Sequence, residues 1–146
     1  PEFNNIHIYR RLYQTIYLSK KYELEDLLAL AYKIKGKYLH KDELYTCAKV
    51  HFLNSLFHYI QIEDYSGIKN SYIHLGKTSF IDQDYEMAIV YYNLAGEIEN
   101  QDEIQYYKAL SYSKLGNYQI AKSICNRIIF KDEKTLELED FLSNID

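Results

Sequence analysis

Proline is nearly absent from this 146-residue chain, and glycine is scarce, with one Pro and five Gly in all. So few chain breakers exclude an all-β domain with tight turns every ten residues or so. They also exclude the glycine-rich phosphate loops of nucleotide-binding folds. Tryptophan is missing, and the one methionine, Met87, lies mid-chain. Pro1-Glu2-Phe3 reads as a cloning remnant, since an EcoRI site encodes Glu-Phe. The expectation is therefore a fragment of a longer protein, native from Asn4 onward. Arginine is limited to Arg10, Arg11 and Arg127, and the net charge is −4 with lysines scattered, so no basic stripe for nucleic acid exists. The two cysteines, Cys47 and Cys125, are far apart in apolar surroundings. They read as buried free thiols in a reducing, cytoplasmic setting. No apolar run approaches the roughly 20 residues that span a bilayer, so neither a membrane nor nucleic acid is expected to bind this segment.

What the chain does contain is a core-forming share of apolar residues, 47%, and an unusual load of tyrosine, 17 residues. Helical periodicity runs almost end to end, in eight amphipathic stretches: about 5–19, 22–37, 41–62, 65–81, 84–99, 102–115, 118–130 and 133–145. Between them lie Lys20-Lys21, Leu39-His40-Lys41, Glu63-Asp64, Asp82-Gln83-Asp84, Asn100-Gln101-Asp102, Gly116-Asn117 and Lys131-Asp132. Asp or Asn at several joints suits helix N-capping. Joints this short fold consecutive helices back on one another, so the fold class is all-α, an α-α superhelix of stacked antiparallel pairs.

A repeat is visible. Asp84-Tyr85-Glu86-Met87-Ala88 aligns with Asn117-Tyr118-Gln119-Ile120-Ala121 at a spacing of 33 residues, and Gly76 aligns with Ala109 at the same spacing. Small residues there let helices cross closely, and the Tyr after each turn is expected to fill the joint. With Tyr72, Leu75, Gly76, Asp84, Tyr85, Ala88, Tyr92 and Ala95 in one unit, the chain resembles the tetratricopeptide repeat (TPR) family. A second unit matches at Ala109, Tyr112, Gly116, Asn117, Tyr118 and Ala121, and departs at Cys125 and Ile128. Neither carries the family's terminal proline. The organisation expected is remnant 1–3, degenerate helical pairs 4–65, repeat units 66–101 and 102–131, and a capping helix 132–146. In the degenerate part, Lys21-Tyr22 and Asp64-Tyr65 imitate the turn signature, but Glu25 and Ile68 stand where a small Ala belongs. Leu138, Phe141, Leu142 and Ile145 give the last helix one apolar face.

Catalysis finds little support. Cys47, His51 and His58 share a helix face at spacings of four and seven, but no neighbouring Glu-x-x-His or paired-Cys motif supplies a converging ligand, so packed histidines are expected and no metal. Carboxylates at Glu23, Glu25, Asp26, Asp82, Asp84, Asp132 and Glu133 sit at helix starts, complementing the macrodipole. No nucleophile elbow or Cys–base pair is present. The segment is read as non-enzymatic and without cofactor.

The TPR resemblance implies a concave groove lined by the first helix of each unit. On this sequence that surface comprises Asn70, Ile73, His74, Lys77 and Phe80 (with Ile81 behind), then Glu103, Tyr106, Tyr107, Leu110, Ser113 and Lys114. Aromatic and aliphatic anchors, an Asn for a peptide backbone and a Lys for an acidic group would suit a protein or short-peptide partner. The two-carboxylate clamp of chaperone-binding TPR domains is not matched, because Glu103 would repel a carboxylate. Two alternatives accompany this reading. One is similarity to the TPR domains of Gram-positive peptide-pheromone receptors, the Rap phosphatases and related transcription regulators, with Asn54, Asn70 or Asn93 gripping a peptide. The other is a homotypic scaffold, a homodimer, or a domain similar to the mitochondrial fission adaptor's.

Overall fold

The computed structural model describes residues 3–145, with side chains from Asn5 onward; most of the tripeptide remnant therefore lies outside the described residues. Among those residues there are eight helices and no strand: α1 (Phe3–Lys21), α2 (Glu25–Lys41), α3 (Tyr45–Gln61), α4 (Tyr65–Ile81), α5 (Tyr85–Ile98), α6 (Asp102–Lys114), α7 (Tyr118–Cys125) and α8 (Glu133–Ser143). The all-α expectation holds.

The joints explain the scarcity of glycine. Helices α1 to α4 each end in the same turn, with the left-handed residue supplied by Glu23, Glu43, Glu63 and Gln83, at φ of 54–63°. Each turn closes with paired backbone bonds: Leu24 N–H to Ser19 C=O, Leu44 to Leu39, Asp64 to Tyr59 and Asp84 to Ser79, with the preceding N–H reaching the carbonyl three residues back. This is a Schellman-type cap, which elsewhere favours Gly because a Cβ in the left-handed region costs about 1–2 kcal/mol. Only α6 uses glycine for it, at Gly116 with φ 77°. Two expected joints are therefore corrected. Helix α1 continues through Lys20-Lys21 and α2 through Leu39-His40-Lys41; the turns lie at 22–24 and 42–44, with no glycine to mark them.

The chain divides into two compact units, Pro1–Ser71 and Tyr72–Asp146, the division falling within α4. In unit 1, α2 and α3 lie antiparallel. Ser55 Oγ donates to Ala29 C=O at 2.8 Å near one end, and the Phe52 ring covers Gly36 nearer the other. A Cβ built on Gly36 would stand 2.7 Å from that ring, so only glycine admits this approach. In unit 2, Gly76 meets Tyr92 in the same way, again at 2.7 Å. Three hairpins thus share one pattern of small and buried positions: Gly36, Ala48, Phe52, Ser55; Gly76, Ala88, Tyr92, Ala95; Ala109, Ala121, Cys125, Ile128. Residues 4–65 are more regular than their sequence suggests. The pairing that places Glu25 and Ile68 at the small position is the wrong one, because α2 pairs with α3 and Ala48 is fully buried there. The spacing shortens from 40 to 33 residues between hairpins because α2, α3 and α4 have 17 residues each, whereas α5 and α6 have 14 and 13.

Other expectations change at particular residues. Cys47 is exposed, turned outward on α3; Cys125 is buried, and burial raises its thiol pKa. The stretch 118–130 is helical only to Cys125. Beyond it, the N–H groups of Ile129 and Phe130 donate to the Asp102 carboxylate at 3.3 and 2.9 Å, which holds an irregular turn in place of a last helical turn. Tyr118 is exposed instead of filling a joint, and Phe141 is half exposed, its ring edge-on to Tyr118. Helix α8 is capped by Asp132, which accepts from Thr135 N–H at 2.9 Å, and it buries Thr135, Leu138 and Leu142. Leu138 and Leu142 join one core with Ala109, Ala121, Ile124 and Cys125.

Candidate functional site

In unit 1 the histidine-bearing face of α3 is a packed aromatic stack. The Tyr32 ring lies against His51 at 5.8 Å and His58 at 5.5 Å, both close to parallel. His58 Nδ1 is 2.5 Å from Glu25 Oε2. His51 Nδ1 is buried with no hydrogen-bond partner among the described residues, and burial first, then the Lys35 charge, pushes its pKa down to about 4. Lys35 is itself buried, with its ammonium 3.9 Å over the Tyr13 ring. Among the described residues no group of three or more potential metal ligands converges.

Unit 2 brings most of the expected groove residues together. Tyr106 and Tyr107 on α6 meet edge to face at 5.2 Å, and Tyr107 stacks on the fully buried Tyr92 at 5.8 Å. Against this platform stands an open hollow of about 340 Å³ lined by Asp102, Glu103, Tyr106, Tyr107, Phe130, Asp132, Lys134 and Thr135. A second hollow, of about 470 Å³, adjoins it, bounded by Tyr106, Leu110, Ser113, Lys114, Tyr118, Lys134, Glu137, Leu138 and Phe141. Tyr106 and Lys134 line both. The floor is α6 and the far wall α8 with the turn before it, two elements that pack directly on each other.

The electrostatics are specific. Lys77 Nζ lies 2.6 Å from Glu103 Oε1 and 4.8 Å over the Tyr107 ring. The expectation that Lys77 offers its charge to an acidic ligand is therefore modified, because Glu103 already neutralises it. Hydrogen bonds from Thr135 hold the Asp132 carboxyl below the usual carboxylate range. Desolvation chiefly, then Tyr107, Asp132 and Glu137, raises the Tyr106 phenol, which stays neutral.

The remaining expected residues are placed differently. Ile73 and Phe80 pack against the core of Ala88, Tyr92, Ala95 and Ile104. His74 is half-buried, and its carbonyl accepts from Thr78 Oγ1 at 2.7 Å. Asn70 is exposed and belongs to unit 1, and Ile81 is exposed at the end of α4. The sequence reading missed Phe130, Asp132, Lys134, Thr135 and Glu137, because it treated the last helix only as a cap. The adjacent pair Ile129-Phe130, bulky and apolar just before a polar capping segment, was the signal available; both are about four-fifths exposed.

No protein-family model and no curated protein matches the chain, so what the site does has to be read from its own chemistry.

Proposed function

We propose that the chain is a TPR-like, non-catalytic module that binds a protein or peptide segment along the α6–α8 face of its second unit. The observation carrying this reading is the pair of adjoining hollows sharing Tyr106. Aromatic rings held by packing, ringed by charged groups, are the surface chemistry of protein recognition sites, where a few rigid anchors dominate affinity. Nothing beside them is arranged as a nucleophile with its base. No helix of the described residues is long and apolar enough to cross a membrane. The small-residue pattern shared by three hairpins supports the TPR likeness, and such folds present a ligand to an extended face instead of enclosing it.

The test is calorimetric titration of a peptide selected for binding from a random library, against wild type and Tyr106→Ala. Loss of about tenfold or more in affinity is expected, since truncating one aromatic anchor typically costs over 1 kcal/mol. Unchanged affinity, with the helical circular dichroism intact, would place the ligand elsewhere.

A further inference from the structure

We infer that the hollow between Glu103 and Asp132 receives the cationic side chain of a Lys or Arg in the partner segment, while the adjoining hollow takes a bulky apolar side chain near it in sequence. This rests on the groove reading above and names the ligand class for the same site.

Three features of the hollow converge on a cation. The first is acceptor capacity at the rim. Asp132 takes both bonds from Thr135 on Oδ1, the N–H at 2.9 Å and the Oγ1 at 2.7 Å, and its exposed carboxylate also feels its own backbone N–H and the Lys134 ammonium. Glu103 binds Lys77 through Oε1, and more than half of its side chain is open to solvent. A guanidinium or ammonium supplies donors to these carboxylates; a carboxylate-bearing side chain would be repelled by them. The second is the walls. The rings of Tyr106, Tyr107 and Phe130 line the hollow, and ring faces attract cations by about 0.5–2 kcal/mol. The protein already uses this chemistry at the edge of the hollow, where the Lys77 ammonium sits between the Tyr107 ring and the Glu103 carboxylate. The third is the field at the shared residue. Asp132 and Glu137 both act on the Tyr106 hydroxyl as negative charges. Across the two hollows the carboxylates of Asp102, Glu103, Asp132 and Glu137 outnumber by one the ammonium groups of Lys114, Lys134 and Lys77, the last paired with Glu103.

The second hollow is larger and adds aliphatic side chains to the aromatic ones. Leu110, Tyr118, Leu138 and Phe141 give it apolar walls, and the Tyr118 and Phe141 rings meet edge to face at 6.4 Å on its margin. Lys134 and Tyr106 divide the hollows, so the two partner side chains sit in adjacent compartments. Phe130 completes the first wall only because Asp102 fixes its backbone; most of its ring is open to solvent, as suits a contact made with something outside the chain.

The experiment is selection of a random dodecapeptide phage library on the immobilised protein, with enriched clones synthesised and titrated against three variants. Phe130→Ala identifies groove-directed clones without touching the core. Glu103→Gln removes a rim carboxylate, and Lys77→Gln frees that carboxylate from its internal partner. Groove-directed peptides are expected to carry a Lys or Arg near a bulky apolar residue. Their binding is expected to weaken about threefold or more in Glu103→Gln, to strengthen in Lys77→Gln, and to weaken as NaCl rises. A merely structural role for the Lys77–Glu103 pair would weaken binding in both variants, and that result overturns the inference. Groove-directed peptides without basic residues overturn the inference while leaving the groove reading intact. Clones indifferent to Phe130→Ala, or no clones at all, overturn both.

Discussion

The half-buried His51 imidazole is expected to make the fold acid-sensitive. His51 lies flat on Tyr32 with Nδ1 unpartnered, and its pKa falls to about 4 from an ordinary 6.5. The folded chain therefore holds His51 neutral, whereas the unfolded chain binds a proton from about pH 6.5 downward. Stability from this residue is whole above that pH and declines as the pH falls toward 4. The melting temperature should accordingly drop between pH 7.5 and 5, and the drop should be smaller in His51→Phe, which keeps a ring against Tyr32. Equal drops in the two proteins would assign the acid sensitivity elsewhere. Sequence spacing was enough to put His51 and His58 on one face. It could not show that Tyr32, nineteen and twenty-six positions earlier, is the surface they stack on, because that contact depends on how α2 meets α3.

The turn between α7 and α8 shows how one side chain redirects an element. Periodicity carries a helix to residue 130, and the apolar spacing of Ile124, Ile128 and Ile129 is compatible with that. Helix α7 stops at Cys125 instead, and Asp102, at the first turn of α6, takes the N–H groups of Ile129 and Phe130. Replacing Asp102 by Ala leaves those groups to water and removes an acid from the N-terminus of α6. The expected loss is about 1–2 kcal/mol, since hydrogen bonds to a charged group contribute about 1.5–3 kcal/mol and these are partly exposed. Amide hydrogen exchange at Ile129 and Phe130 should accelerate at least tenfold while α6 and α8 keep their protection. Exchange unchanged at those two amides would show that the turn holds itself. Because Phe130 forms a wall of the first hollow, the same substitution should weaken any groove ligand. This half of the site was not legible in the sequence, since a bond between residues 102 and 130 has no periodic signature.

Across the whole chain, three hairpins reuse one device, a small residue under an aromatic or sulfur-bearing side chain. Gly36→Ala and Gly76→Ala each gain about 0.5–1 kcal/mol of helix propensity, but each drives a Cβ to 2.7 Å from a fully buried ring. Overpacking of that kind costs about 1–3 kcal/mol, so both changes should destabilise. Phe52 and Tyr92 are separate acceptors of the two clashes, with no contact residue in common. Urea denaturation should therefore give a double variant whose loss is near the sum of the singles, as for independent sites. A double variant far from that sum would show that the two sites are coupled.

Composition and pattern alone determined that the chain is all-helical, that its joints are short and that its second half repeats, because each follows from local periodicity and from where small residues fall. The TPR resemblance, carried onto the sequence, also pointed to Tyr106, Leu110, Ser113 and Lys114 on α6, with Tyr107 flanking them. Tertiary structure decided the rest. It packed α2 against both α1 and α3, most extensively against α3, where Gly36 lies under the Phe52 ring. It bound Lys77 to Glu103, changing an open cation into a neutralised one. It also set Phe130 and Asp132 opposite Tyr106, where residues distant in sequence enclose a space that no single helix outlines.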